Sequence, residues 1–250
     1  LFTGFILLAT ILVAQDISKA TLVKSSSSNP IDIPYEKWEL PNGLKVLIHE
    51  DHSDPIVHVH VTYHVGSNRE SAGKSGFAHF FEHMLFQGSE HVEDERAPRI
   101  IAEAGGELNG NTSYDRTVYL QTVPSNHLET ILWLEADRMG FLLNAVTQEK
   151  FEIQRDAVTN EKYQQQMNRP YGMSSEILGQ TLYPPSHPYN WPIIGYVDDL
   201  DRATLDDLRN FFLRWYGPNN AILTLSGDVT SAQVIPLVEK YFGTINRGPE

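Results

Sequence analysis

The sequence predicts an α+β fold, a mainly antiparallel sheet with helices packed on one face. Three observations predict it. Stretches of period-two alternation come in adjacent pairs, 44–48 with 56–65 and 107–113 with 117–123. Stretches of helical periodicity come in blocks rather than one after each strand, so regular βαβ alternation is absent. No short-period repeat runs through the chain, which excludes a solenoid or a propeller.

Each element has its own signal. Structure is expected to begin near Trp38-Glu39-Leu40, where Pro41-Asn42-Gly43 supplies a turn. Leu44-Lys45-Val46-Leu47-Ile48 then alternates as a strand, as do residues 56–65, and the segment 51–55 between them predicts a hairpin. Helical patterning follows over 76–87 and 96–104, with Gly105-Gly106 placed to cap the second helix. Strand character returns over 107–113 and 117–123. Ser125 is expected to cap a long helix through Leu142, and Thr147 another over 148–167, closed by Arg169-Pro170. A short helix over 174–182 leads into a proline-rich loop, 184–192. Thr204 and Asp207 have capping-box spacing for a helix through Trp215. Residues 220–226 read as a buried strand, and 231–242 as a final amphipathic helix.

Composition removes several classes of function. Of 250 residues 41% are hydrophobic, which is ordinary for a soluble globular protein and unlike a polytopic membrane protein. The formal charge of −13 argues against nucleic acid, because phosphate contacts need clustered Lys and Arg. There is no cysteine, so disulfides, thiol catalysis and thiolate metal sites are excluded; a transition metal here must be held by His, Asp or Glu. Residues 1–14 form an uncharged apolar run, short for a membrane span. It reads as the core of a signal peptide, residues 1–15, cut soon after Ala14 or Gln15, with a basic start that would precede Leu1. Export to the periplasm or beyond is therefore expected, the alternative being a membrane anchor at residues 1–14. Residues 16–34, with the run Ser25-Ser26-Ser27-Ser28-Asn29-Pro30, read as a flexible linker.

The chemistry concentrates at His79-Phe80-Phe81-Glu82-His83. On a helix, residues four apart lie about 40° apart around the axis and one turn along, so His79 and His83 share a face at a spacing that suits one tetrahedral ion. Glu82 lies beside His83, where its carboxylate can reach a metal-bound water without binding the metal. With 10 His in the chain, composition alone yields about 0.03 chance occurrences of H-x-x-E-H. Phe77, Phe80, Phe81, Leu85 and Phe86 give the helix an apolar body. The order is the inverzincin signature. A catalytic zinc normally has three protein ligands and an open position, so a third ligand must come from elsewhere in the chain.

These residues and their flanks resemble the pitrilysin/insulinase family of zinc metallopeptidases, which includes the mitochondrial processing peptidases. One block of resemblance runs through Gly66-Ser67-Asn68-Arg69-Glu70 and on from Gly76 to Gly88; a second is Tyr216-Gly217-Pro218-Asn219-Asn220-Ala221 with Ser226-Gly227-Asp228-Val229. Together they cover roughly residues 36–246 and imply a zinc metallopeptidase domain at 35–247. The family's third ligand is a helical glutamate some 75 to 80 residues beyond the second His. Glu161, 78 residues after His83, matches that position. Glu149 and Glu152 compete, and both also read as charges in the first turn of a helix. The resemblance thus implies one Zn2+ per chain on His79, His83 and Glu161, with Glu82 as general base. Gln154 stands where many relatives carry a supporting glutamate, so metal affinity is expected to differ.

The same resemblance implies a substrate taken as an extended peptide or unfolded segment, added to an exposed sheet edge. Asn109, Gly110 and Asn111 fall on that edge, with Gly110 where relatives usually have Ala. His58, His60 and His64 share a strand face by parity, and are read as solvated or hydrogen-bonded rather than as a second metal site; His187 is read as structural. Family members pair two homologous halves, fused or as separate subunits, so a second half is the expected partner of this zinc-bearing one. The expected function is that of a zinc endopeptidase. The alternative is a non-catalytic, substrate-presenting or assembly subunit, and a remoter one is a zinc hydrolase of small non-peptide substrates. Degenerate subunits generally lose motif residues, whereas all four are present here.

Overall fold

The computed structural model describes residues 33–250. The expected leader at 1–15 and nearly all of the expected linker at 16–34 lie outside the described residues. Among the described residues, six strands form one sheet: β1 (Glu36–Glu39), β2 (Lys45–Glu50), β3 (Ile56–Tyr63), β4 (Glu107–Thr112), β5 (Thr117–Pro124) and β6 (Ala221–Gly227). Their order is β1-β2-β6-β3-β5-β4, and every neighbouring pair is antiparallel except β2 with β6.

Alternation decides which face is covered. Val57, Val59, Val61 and Tyr63 of β3 are buried while the residues between them are partly open, the mark of a sheet packed on one side. The register continues that pattern across strands. Val46, Leu223, Val61, Tyr119 and Gly110 lie in one row, and Ile48, Leu225, Val59, Gln121 and Leu108 in the next. The first row ends on Gly110 at the open edge of β4.

Among the described residues, eight α-helices accompany the sheet: α1 (Phe77–Met84), α2 (Arg96–Glu103), α3 (Leu128–Ala145), α4 (Gln148–Lys162), α5 (Ser174–Leu182), α6 (Val197–Arg202), α7 (Leu205–Trp215) and α8 (Ser231–Phe242). The covered face supports α3, which packs on β3, β5 and α8, and α1, which packs on β4, β5, α4 and α7. Among the described residues, no helix is long and apolar enough to cross a membrane.

Most local signals are realised. Gly105 adopts φ 77°, and the amides of Gly105 and Gly106 reach back to Ala102 and Ile101, the Schellman closure of α2. Thr147 caps α4 by accepting from the Lys150 amide, and Thr204 with Asp207 forms a full capping box on α7.

Three expectations are corrected. The hairpin expected around 51–55 does not form, because β6 inserts between β2 and β3 and takes both as partners. Its Leu223 and Leu225 fill the rows between Val46 and Val61 and between Ile48 and Val59; burying those side chains outweighs a local turn. Ser125 does not cap a helix. It opens a 3-10 turn, Ser125–His127, its hydroxyl donates to Asp228 at 3.0 Å, and α3 starts at Leu128. The helix expected over 148–167 is α-helical only to Lys162; Tyr163–Met167 is a π turn, closed by the Asn168 amide on the Tyr163 carbonyl. The short α6 was not expected.

Candidate active site

Helix α1 carries the motif, and its position is set from both sides. Phe80 and Phe81 are fully buried, each contributing about 1.5–3 kcal/mol by removal from water. Phe80 packs on Phe151 of α4, ring centres 5.0 Å apart, and Phe81 stacks on Phe212 of α7 at 5.2 Å. The helix begins at Gly76, with φ 90°, where a Cβ would stand 2.7 Å from the Ile194 carbonyl oxygen; only glycine fits this approach. Its first amides are held by buried carboxylates. The Gly76 and Ala78 amides donate to the two oxygens of Glu70 at 2.9 and 2.8 Å, and the Ser75 amide and hydroxyl donate to Asp199 at 3.1 and 2.7 Å.

Burying the phenylalanines leaves His79, Glu82 and His83 on the partly open side of the helix. The two imidazoles meet edge to face, centres 4.8 Å apart. Across from them, α4 presents Glu161. Its Oε2 lies 3.1 Å from His83 Nε2 and 3.7 Å from His79 Nε2. Its other oxygen accepts from the Gln165 side chain at 2.9 Å, one turn on, where the helix has passed into its π turn; such turns recur at functional sites. Lys162, next in sequence, points inward to Glu176 at 3.0 Å and the Gly195 carbonyl at 2.7 Å, which anchors the end of α4.

This donor set fits zinc. A tetrahedral ion with bonds of about 2.1 Å requires ligand atoms about 3.4 Å apart, and the two measured separations bracket that value. Among the described residues, His79, His83 and Glu161 form the one group of three such side chains that could share an ion. Two imidazoles and a carboxylate, without thiolate, are also a recurrent catalytic zinc set. Protonation agrees with it. Burial, reinforced by the nearby His83, pushes His79 down to about 4 although Glu161 pulls the other way, so its ring is neutral at pH 7. The contact with His83 draws Glu161 below its ordinary value against the opposing effect of burial.

Glu82 stays out of this triangle and faces β4. Its Oε2 accepts from the Thr112 hydroxyl at 2.5 Å. Burial raises its carboxyl above the ordinary value, while that hydrogen bond draws it back. His79, Glu82 and Glu161 line a cleft of about 460 Å³ together with Gly110, Asn111, Thr112, Tyr114 and the loop at Ile193. Gly110 and Asn111 therefore face the cleft; Asn109 does not line it, and its side-chain oxygen instead accepts from the Gly110 amide at 2.9 Å. All three lie on β4, the edge strand.

Other sequence candidates fall elsewhere. Glu152 pairs with Arg155 at 2.8 Å and Glu149 is exposed, so neither joins the histidines. His58 bonds the Thr122 hydroxyl at 2.8 Å, with the His60 ring 6.2 Å away, and His64 lies past the end of β3. His187 stacks on Tyr183 at 4.5 Å. Thr112, Gln165 and Glu70 were missed as site residues. Two of them had a signal: Thr112 shares the strand face of Gly110 by parity, and Gln165 lies one helical turn after Glu161. Glu70 had none beyond its block of resemblance.

Comparison with known proteins finds relatives of this chain. A model of the family described as Insulinase (Peptidase family M16) matches residues 45–183, a span that includes His79, Glu82, His83 and Glu161. One described as Peptidase M16 inactive domain matches 202–250, which includes none of them. The zinc protease PqqE of Helicobacter pylori is 34% identical over 212 residues, covering 84% of this chain and 47% of that protein. A crystal structure of a protease from Helicobacter pylori matches with TM-score 0.83 at 34% identity, over 87% of this chain and 52% of the other. The first half of the periplasmic protease PqqL of Escherichia coli shares the fold, with TM-score 0.77 at 24% identity, over 89% of this chain and 48% of that half. Against the whole of PqqL the covered share is 25%. The chain thus spans about half the length of the Helicobacter pylori relative, and half of one half of PqqL.

Proposed function

The chain belongs to the insulinase family of peptidases, family M16, and from that premise we propose that residues 35–247 form the zinc-bearing domain of an endopeptidase acting on extended peptides or unfolded proteins. The observation that carries the reading is the convergence of His79 Nε2, His83 Nε2 and Glu161 Oε2, with His79, Glu161 and Glu82 lining one cleft. In this reading His79, His83 and Glu161 hold one Zn2+. Zinc so held supplies Lewis acidity, lowering the pKa of a coordinated water toward 7. Glu82 takes the proton of the attacking water and later passes it to the leaving amine. Its raised carboxyl pKa suits that task, since a base works best when its pKa lies near the working pH. An extended peptide pairs with the free edge of β4 at Asn109, Gly110 and Asn111, which brings its carbonyl over the cleft.

The partial span of the chain supports a second homologous half, fused or separate, that closes over the substrate. The apolar run at 1–14 and the periplasmic setting of PqqL support export. The test is Glu82→Gln in the full-length parent. Zinc content by atomic absorption should stay at one per chain while cleavage of an unfolded protein falls by about 10²–10⁴-fold. Undiminished cleavage would rule out Glu82 as the base, and a parent without zinc would favour the non-catalytic subunit.

A further inference from the structure

We propose that Thr112 is a positioning residue for Glu82, so that the strand edge offered to a peptide also sets the orientation of the base. The inference rests on the reading of Glu82 as general base. Strand β4 touches the Glu82 carboxylate at two points. The Thr112 hydroxyl donates to Oε2 at 2.5 Å, and among the described residues no other side chain is hydrogen-bonded to Glu82. Two residues earlier on the same strand face, Gly110 withholds a side chain: a Cβ there would stand 2.9 Å from Glu82 Oε1 and 3.1 Å from its Cγ. One oxygen is thus held by a donor, and the other occupies space that an alanine would take.

The donor sits on a firm base. Thr112 is β-branched, with a restricted χ1, and pairs across the ladder with Thr117. Thr117 is fully buried, and its hydroxyl donates to the Val65 carbonyl at 2.8 Å. Glu82 by contrast has a flexible side chain beside an open cleft, where a charge-assisted hydrogen bond from the Thr112 hydroxyl restricts its orientation. Gly110 and Thr112 share one face of β4, and it is this face that meets the Glu82 carboxylate.

Two substitutions in the zinc-loaded, full-length parent separate this role from packing. Thr112→Val keeps the shape and removes the hydroxyl; Thr112→Ser keeps the hydroxyl and removes the methyl. Thr112→Val should lower kcat by about 10-fold, a part of what a general base contributes, with KM and zinc content unchanged, and Thr112→Ser should recover most of the loss. A Thr112→Val enzyme with the parent's kcat would overturn the proposal, as would Thr112→Ser falling equally far. A second readout needs no turnover. In the metal-free parent, the Tm shifts of Thr112→Val and Glu82→Ala should sum to more than the shift of the double variant, since the contact can be lost only once. Additive shifts in an active enzyme remove this proposal alone. A zinc-loaded parent that cleaves no peptide removes the base, and this inference with it.

Discussion

At the scale of single residues, the site separates what sequence spacing can show from what only folding creates. His79, Glu82 and His83 are legible because a helix turns local spacing into a shared face. Glu161 is not local. It reaches the histidines because Phe80 and Phe151 lock α1 against α4, a contact no spacing rule contains, and only resemblance to a family pointed to it. Gln165 illustrates the middle case, since its offset from Glu161 was visible but its role depends on Glu161 having one. It binds the oxygen of Glu161 that faces away from the imidazoles. Its removal should free that carboxylate to rotate, and Gln165→Ala is expected to weaken zinc binding by about 10- to 100-fold. Competition against a chelator of known affinity measures this; an unchanged zinc Kd would show that Glu161 is held by other means.

At the scale of elements, the active-site helix depends on carboxylates at its start. Glu70 is buried and accepts two amides of the first turn of α1, yet burial pushes its carboxyl up to about 8 from an ordinary value of 4.5. The folded protein therefore holds that proton more tightly than the unfolded chain does. The stability this adds is complete below about pH 4.5, declines as pH rises, and is gone above about pH 8. Glu70→Gln cannot titrate and should lack the decline. Thermal melts from pH 5 to 9 should show the wild-type Tm falling relative to that of Glu70→Gln, and parallel curves would contradict the assignment. The variant should also be less stable at pH 5 by about 1–3 kcal/mol, because an amide group in place of the carboxyl satisfies only one of the two donors. Elements themselves were mostly legible where a cap marked them, as at Thr147, Thr204 and Gly105. The hairpin expected after β2 was not, because nothing near residues 51–55 announces a strand that arrives from Ala221.

At the scale of the whole molecule, the fold class was legible from the blocks of alternation, and only the resemblance to a family pointed to a second half. Half of the Helicobacter pylori relative's length is matched, and the cleft is bounded on the present side by β4, α4 and the Ile193 loop. The isolated 250-residue chain is expected to bind zinc but to cleave peptides poorly, since the closing half would be missing. Zinc at 100 times its Kd should stabilise it by about 2.7 kcal/mol, and a chelator should reverse the effect. Vigorous proteolysis by the monomeric chain would show that this domain suffices. The central place of β6 has a further consequence for how the protein comes to exist. The strand that joins β2 to β3 is the last of the six described strands to be synthesised, so a nascent chain carries an unzipped seam until Ala221–Gly227 has emerged. Pairings this distant in sequence form slowly. Until that strand arrives, the two flanks of the sheet have no common partner, and the core they share stays open.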